Sequence, residues 1–136
     1  MTKTAYLTGY TGEPTRTPAQ LLQLAINLGA VVVDSRYNPQ SRVPHWNGIA
    51  LGKLMGRKYL HIRDFGNQAY KEGYIKLVDP ASGLDQLNNH TADTFIILCA
   101  CSDGQHCHRK QVGEYLAANG WAVREVTAQE WEESRQ

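Results

Sequence analysis

Thr94-Phe95-Ile96-Ile97-Leu98-Cys99-Ala100-Cys101-Ser102-Asp103-Gly104-Gln105-His106-Cys107-His108-Arg109 joins an apolar run to a polar turn and the start of a helix. Its first six residues do not alternate, the pattern of a strand buried on both faces, as in a parallel sheet covered by helices. From Cys107 the period becomes helical, with Val112, Tyr115 and Leu116 on one face and Gly120 at the end. Strand, turn and helix in this order are the unit of an α/β domain, and chemistry gathers at such turns. All three cysteines, two of the five histidines and an arginine lie within eleven positions here.

Upstream, Thr4-Ala5-Tyr6-Leu7-Thr8 reads as a first strand ending in the turn Gly9-Tyr10-Thr11-Gly12. Thr17-Pro18-Ala19-Gln20 carries a helix start: Thr17 as N-cap, Pro18 where no amide is needed, and Gln20 completing a capping box. Leu21, Leu22, Ala25 and Leu28 give the helix an apolar face, and Gly29 supplies a left-handed stop. Ala30-Val31-Val32-Val33-Asp34 is a second buried strand. Asn47 to Met55 is helical with Gly56 as its stop, and Lys58-Tyr59-Leu60-His61-Ile62 is a third strand. Arg63 to Ser82 has weak periodicity, and long loops in compact domains are often lids or binding segments. A short helix over Gly83–Asn89 precedes the Thr94–Cys99 strand. Downstream, Trp121–Val126 is the last strand, and Thr127-Ala128-Gln129-Glu130 caps a terminal helix carrying Trp131.

These signals predict one three-layer α/β domain over residues 1–136. A mainly parallel five-stranded sheet is expected in the order 3-2-1-4-5, with helices on both faces. At 136 residues the chain can bury a core without staples. A formal net charge of +1 excludes a strongly basic nucleic-acid coat, though not a local patch from Arg36, Arg42, Arg57, Arg63 and Arg109. No apolar run approaches a membrane span and Met-Thr-Lys-Thr opens no signal peptide, so a cytoplasmic location without membrane attachment is expected. An odd, local set of cysteines argues for reduced thiols, a metal or reactivity over a disulfide framework.

Every unusual cluster follows a strand, which points to one composite site. Cys107, His108 and Arg109 fall in the first turn of a helix, whose partial positive charge favours a thiolate or an anion gripped by Arg109. Cys99 is expected as a buried small hydrophobe. Cys101 shares a face with Cys99 on an extended chain. In Asp34-Ser35-Arg36-Tyr37-Asn38-Pro39-Gln40-Ser41-Arg42, Arg36, Ser41 and Arg42 suit a phosphorylated or carboxylated ligand. Asp34 suits either a base or a partner that holds Arg36. Gly9 and Tyr10 form a weaker cluster, with Tyr10 placed to stack on a base or cap the core. A tyrosine-phosphatase loop, cysteine followed six positions on by arginine, is missing: that position holds Cys107 after Cys101 and Gly113 after Cys107.

In this order the clusters resemble the family known as domain of unknown function 488. Its pattern is a Gly-Tyr or Gly-His turn after a strand, Asp-x-Arg-x-x-Pro-x-Ser-Arg, Leu-Gly, Leu-Cys-x-Glu and a downstream Cys-His-Arg. This chain supplies Gly9-Tyr10, Asp34 to Arg42, Phe65-Gly66, Leu98-Cys99 and Cys107-His108-Arg109. It departs at Cys101, where the family has an acidic residue, and at Phe65 in place of leucine. The resemblance implies the α/β fold and the strand-end site, and brings no settled reaction.

The leading functional expectation is an enzyme acting on a phosphate-bearing small molecule or nucleic acid. Asp34, Cys107 and His108 would be catalytic, and Gly9, Tyr10, Arg36, Ser41, Arg42, Cys101 and Arg109 would bind ligand. No cofactor is expected on this reading. One alternative is a non-catalytic nucleic-acid module stacking bases on Tyr10, Tyr37, Trp46 and Tyr70. Another is a zinc or iron–sulfur protein using Cys99, Cys101 and Cys107, although the spacing is poor for zinc.

Overall fold

The computed structural model of the chain describes residues 2–11, 16–100 and 107–135. Within them lie strands β1 (Thr4–Gly9), β2 (Val31–Asp34), β3 (Tyr59–His61), β4 (Thr94–Cys99) and β5 (Ala122–Glu125). Helices α1 (Pro18–Leu28), α2 (Gly48–Met55), α3 (Pro80–Asn88), α4 (His108–Ala118) and α5 (Ala128–Glu133) connect or follow them. The local signals act as their chemistry requires. Thr17 and Gln20 close a reciprocal capping box on α1, and Gly29 ends it at φ 64°. Thr127 and Glu130 do the same for α5. The start of α3 lies further upstream than the hydrophobic period indicates, because Asp79 caps Ser82 N–H and Pro80 occupies the first turn.

The strands form one all-parallel sheet in the order β3-β2-β4-β1-β5. This corrects the expected 3-2-1-4-5: β4, not β1, stands between β2 and its other neighbour. The crossover from β1 to β2 leaves a gap one strand wide, and β4 fills it. It pairs with β1 from Thr4↔Thr94 to Gly9↔Cys99 and with β2 from Val31↔Phe95 to Asp34↔Leu98. Phe95, Ile96, Ile97, Leu98 and Cys99 are all fully buried, which a strand achieves only with neighbours on both edges and cover on both faces.

Two apolar cores flank the sheet. On one face Ala5, Leu7, Val33, Phe95 and Ile97 meet α3 through Leu87 and α4 through Val112 and Leu116. On the other, Val32, Ile96 and Leu98 meet α1 through Leu21 and Leu24, α2 through Leu51, and α5 through Trp131. The direction of chain progress reverses after β3, and the covering helices change face with it. That pairing keeps crossovers of one hand. Connections leaving β1 and β2 therefore go to the face opposite the one leaving β4, so a crevice opens above the ends of these three adjacent strands. No described helix is long and apolar enough to cross a membrane.

Candidate functional site

At the end of β2 the chain turns so that Arg36 folds back on Asp34, two residues earlier. Arg36 donates from Nε to Asp34 Oδ1 (2.8 Å) and from Nη2 to Oδ2 (2.6 Å), while its amide reaches Oδ1 at 3.2 Å. Tyr59 of β3 donates its hydroxyl to Asp34 Oδ2 at 2.6 Å, and His61 Nε2 donates to the Arg36 carbonyl at 2.7 Å. The Arg36 guanidinium sits 5.4 Å from the Tyr10 ring centre, and Tyr10 is itself stacked on Trp46 at 4.4 Å. Asp34 is fully buried and Arg36 is 5% exposed. Burial lowers the pKa of Arg36, but the hydrogen bond and charge of Asp34 overcome this and hold it above the usual value. Tyr59 is pushed up by burial first and by the adjacent carboxylate second. Both sides of the Asp34 carboxylate are thus engaged, while Arg36 Nη1 is buried with no partner among the described residues.

From the other side of the crevice comes His108, the first residue of α4. Its Nε2 lies 2.9 Å from the Ser35 carbonyl and 3.1 Å from Ser35 Oγ. A carbonyl only accepts, so Nε2 carries the proton, and the Ser35 hydroxyl donates in turn to Leu98 O at 2.8 Å. Nδ1 keeps the lone pair. Burial lowers the His108 pKa, assisted by the charge of Arg109 and opposed by the Ser35 carbonyl and Asp34. The neutral ring is the form favoured near pH 7.

Arg36 and His108 line a cavity of about 620 Å³, together with Thr11, Ala100, Tyr37, Asn38, Gln40, Asn67 and Tyr70. One wall belongs to the stretch after β3. Asn67 ties that wall together, donating to Tyr74 O and accepting from the amides of Ala69 and Lys76. Gly66 permits its close approach: a Cβ there would lie 2.5 Å from Tyr37 Cα. The Phe65-Gly66 pair is thus a packing element, with the Phe65 ring fully buried against Gly83 of α3.

The expected site residues are distributed unevenly. Arg36 and His108 line the cavity; Asp34 lies behind Arg36 and holds it. The Gly9 carbonyl accepts from Arg16 Nη1 at 2.6 Å, and Tyr10 belongs to the core beneath Arg36. Ser41 accepts from Val43 N–H within its own turn, and Arg42 is exposed on the same loop. Arg109 is buried, donating from Nε and Nη2 to Glu125 and from Nη1 to Cys99 Sγ at 3.1 Å. Burial depresses its pKa, but Glu125 and Cys99 leave it raised. Cys107 is 2% exposed, disulfide-bonded, and lines a different cavity beside Lys110 and Glu114. In that form it offers no thiolate. Cys101 and Gly12 lie outside the described residues. Cys99 is buried, as expected, and stands outside any disulfide, but its sulfur accepts from Arg109 and so does more than fill space. Among the described residues no cluster of three or more His, Cys, Asp or Glu is placed to hold a metal.

Sequence reasoning missed Asn38, Gln40, Asn67 and Thr11 as cavity residues. Asn38 and Gln40 were visible as spacers inside the Asp34–Arg42 motif, and Asn67 as a turn signal. Tyr37 and Tyr70, expected among stacking aromatics, do reach the cavity, whereas Trp46 stays in the core with Tyr10.

Residues 20–116, more than half of the chain, match the family model described as domain of unknown function DUF488. No curated protein and no solved structure matches the chain.

Proposed function

The chain belongs to the domain of unknown function DUF488 family, and on that premise we propose that it binds a phosphate-bearing ligand, a nucleotide or nucleic acid, in the cavity over β2 and β4. The observation that carries this reading is Arg36 Nη1, a buried donor on a permanently charged group without an acceptor among the described residues. A buried charged donor left unmatched costs at least about 1–3 kcal/mol, so an anionic acceptor is the group best suited to meet it. Asp34, itself held by the Tyr59 hydroxyl, grips the guanidinium through Nε and Nη2, which fixes the direction in which Nη1 points. His108 stands at the positive end of α4 on the same cavity.

Should the ligand be a substrate, His108 is the member of the expected Asp34, Cys107 and His108 set that lines this cavity, and it would carry the proton. A metal reading draws no support from Cys107, which offers no thiolate while it is disulfide-bonded.

Calorimetric titration with inorganic phosphate and nucleotides tests the proposal. Arg36→Lys keeps a cation for Asp34 but removes Nη1, and it is expected to weaken binding about tenfold or more. Gln129→Ala, at an exposed position of α5 outside the cavity lining, provides the control expected to bind as the wild type does. No binding by the wild-type chain, or equal binding by Arg36→Lys, would overturn the reading.

A further inference from the structure

We infer that the ligand is a free nucleoside monophosphate whose base lies against Tyr37 and Tyr70 while its phosphate meets Arg36; this rests on the phosphate reading above. Tyr70 stands on the 3₁₀ turn Tyr70–Glu72 and is 52% exposed, a large aromatic kept at the cavity rim and not in a core. The loop that carries it is held by the three hydrogen bonds of Asn67. Tyr37 lines the same cavity and is backed by the Arg63 guanidinium at 4.2 Å from its ring centre.

The two tyrosine rings lie 6.3 Å apart at 48°, a splayed pair. A planar group stacks on one ring and meets the edge of the other. The same cavity is lined by Asn38 and Gln40, both exposed, whose side chains end in amides. Amides donate and accept, as the edges of bases require.

Size and charge favour the free nucleotide over a strand. A volume of about 620 Å³ is in the range of small-molecule sites. Strand-binding grooves instead track successive phosphates with many basic groups, and this chain carries a net charge of +1.

The test is calorimetry on the full chain with inorganic phosphate, a pentose phosphate, the nucleoside monophosphates and a short single-stranded oligonucleotide. At least one nucleoside monophosphate is expected to bind about tenfold or more tightly than the pentose phosphate, the increment of one stacked base. Tyr70→Ala, at an exposed position, is expected to erase that margin and leave pentose phosphate binding unchanged. If the pentose phosphate matches every nucleotide, or Tyr70→Ala keeps the margin, the base subsite is refuted while the phosphate reading stands. An oligonucleotide that binds more tightly than all the mononucleotides would assign the site to a strand and overturn the inference. Failure of every phosphate compound to bind would remove both readings together.

Discussion

Asp34 illustrates how a residue chosen for its chemistry serves by position. A carboxylate at a strand end suits a base, yet three donors from Arg36, its amide among them, and one from Tyr59 take up its oxygens. Removing one partner from such a buried pair leaves the other charge uncompensated, so Asp34→Asn is expected to cost about 3–5 kcal/mol in urea unfolding. Tyr59→Phe deletes a single charge-assisted bond, and about 1–2 kcal/mol should be lost, with phosphate binding weakened as Arg36 loosens. His108 supplies a pH signature. Its folded pKa lies below the unfolded value of about 6.5, so the unfolded chain binds the proton first. Its contribution is complete above that value and is lost as pH falls through the folded pKa. Denaturant midpoints taken from pH 7.5 downward should therefore fall more for wild type than for His108→Gln; parallel curves would contradict the assignment. Sequence inspection named Asp34, Arg36 and His108 and left Asp34 open between a base and a partner that holds Arg36. The structure shows Asp34 bonded to the Arg36 guanidinium. What sequence inspection did not reach is the contact of Tyr59 with Asp34 and of Ser35 with His108, each made between residues distant in the chain.

Elements show the opposite balance, since their ends are local chemistry. The capping boxes of α1 and α5 stand where Thr17 and Thr127 announce them. On α5, Glu130 also accepts two bonds from Arg124, each 2.8 Å, and that hydrogen bonding, ahead of the cap itself, draws its pKa to about 2. Its stabilisation is present above the usual carboxylate range and disappears as pH falls toward 2. Arg124 is half exposed, so screening reduces the pair, and Glu130→Ala is expected to cost about 1 kcal/mol, mostly through the cap. Thermal melts at pH 7 and pH 2 should show this loss at the first value and little at the second. Gly66 is an element-scale constraint of another kind. A methyl group there would meet the Tyr37 backbone at 2.5 Å to Cα and 2.8 Å to N, and Gly66→Ala is expected to cost about 1–3 kcal/mol. It should also weaken ligand binding, because the wall carrying Tyr70 must withdraw from Tyr37. The need for glycine was not readable from composition, as the clash comes from backbone about thirty residues away in sequence.

At the scale of the molecule, the sheet order sets both stability and the site. β4 is the best protected strand, between β1 and β2 and under both cores, while β3 and β5 lie at the edges. Hydrogen exchange should accordingly be slowest at the amides of Phe95 to Leu98 and faster by orders of magnitude in β5. Ile97→Ala, in the middle of β4, is expected to cost about 2–5 kcal/mol. Protection highest in β1, with β4 exchanging like an edge, would contradict this order.

The amino-acid sequence by itself determined the α/β class and the element boundaries to within a few residues, and it pointed to the strand ends where the structure has a cavity. These follow from short-range causes: hydrophobic period, capping side chains and turn residues. Only the tertiary structure decided that β4 enters between β1 and β2, because unbroken burial marks a strand as internal without naming its neighbours. The convergence of β1, β2 and β4 holds in either order, which is why their shared end was legible when the strand order was not. The structure also sorted the site's residues, placing Arg36 and His108 on the cavity and turning Arg109 toward Glu125. That separation depends on which side of the sheet each helix covers, a property of packing and not of local sequence.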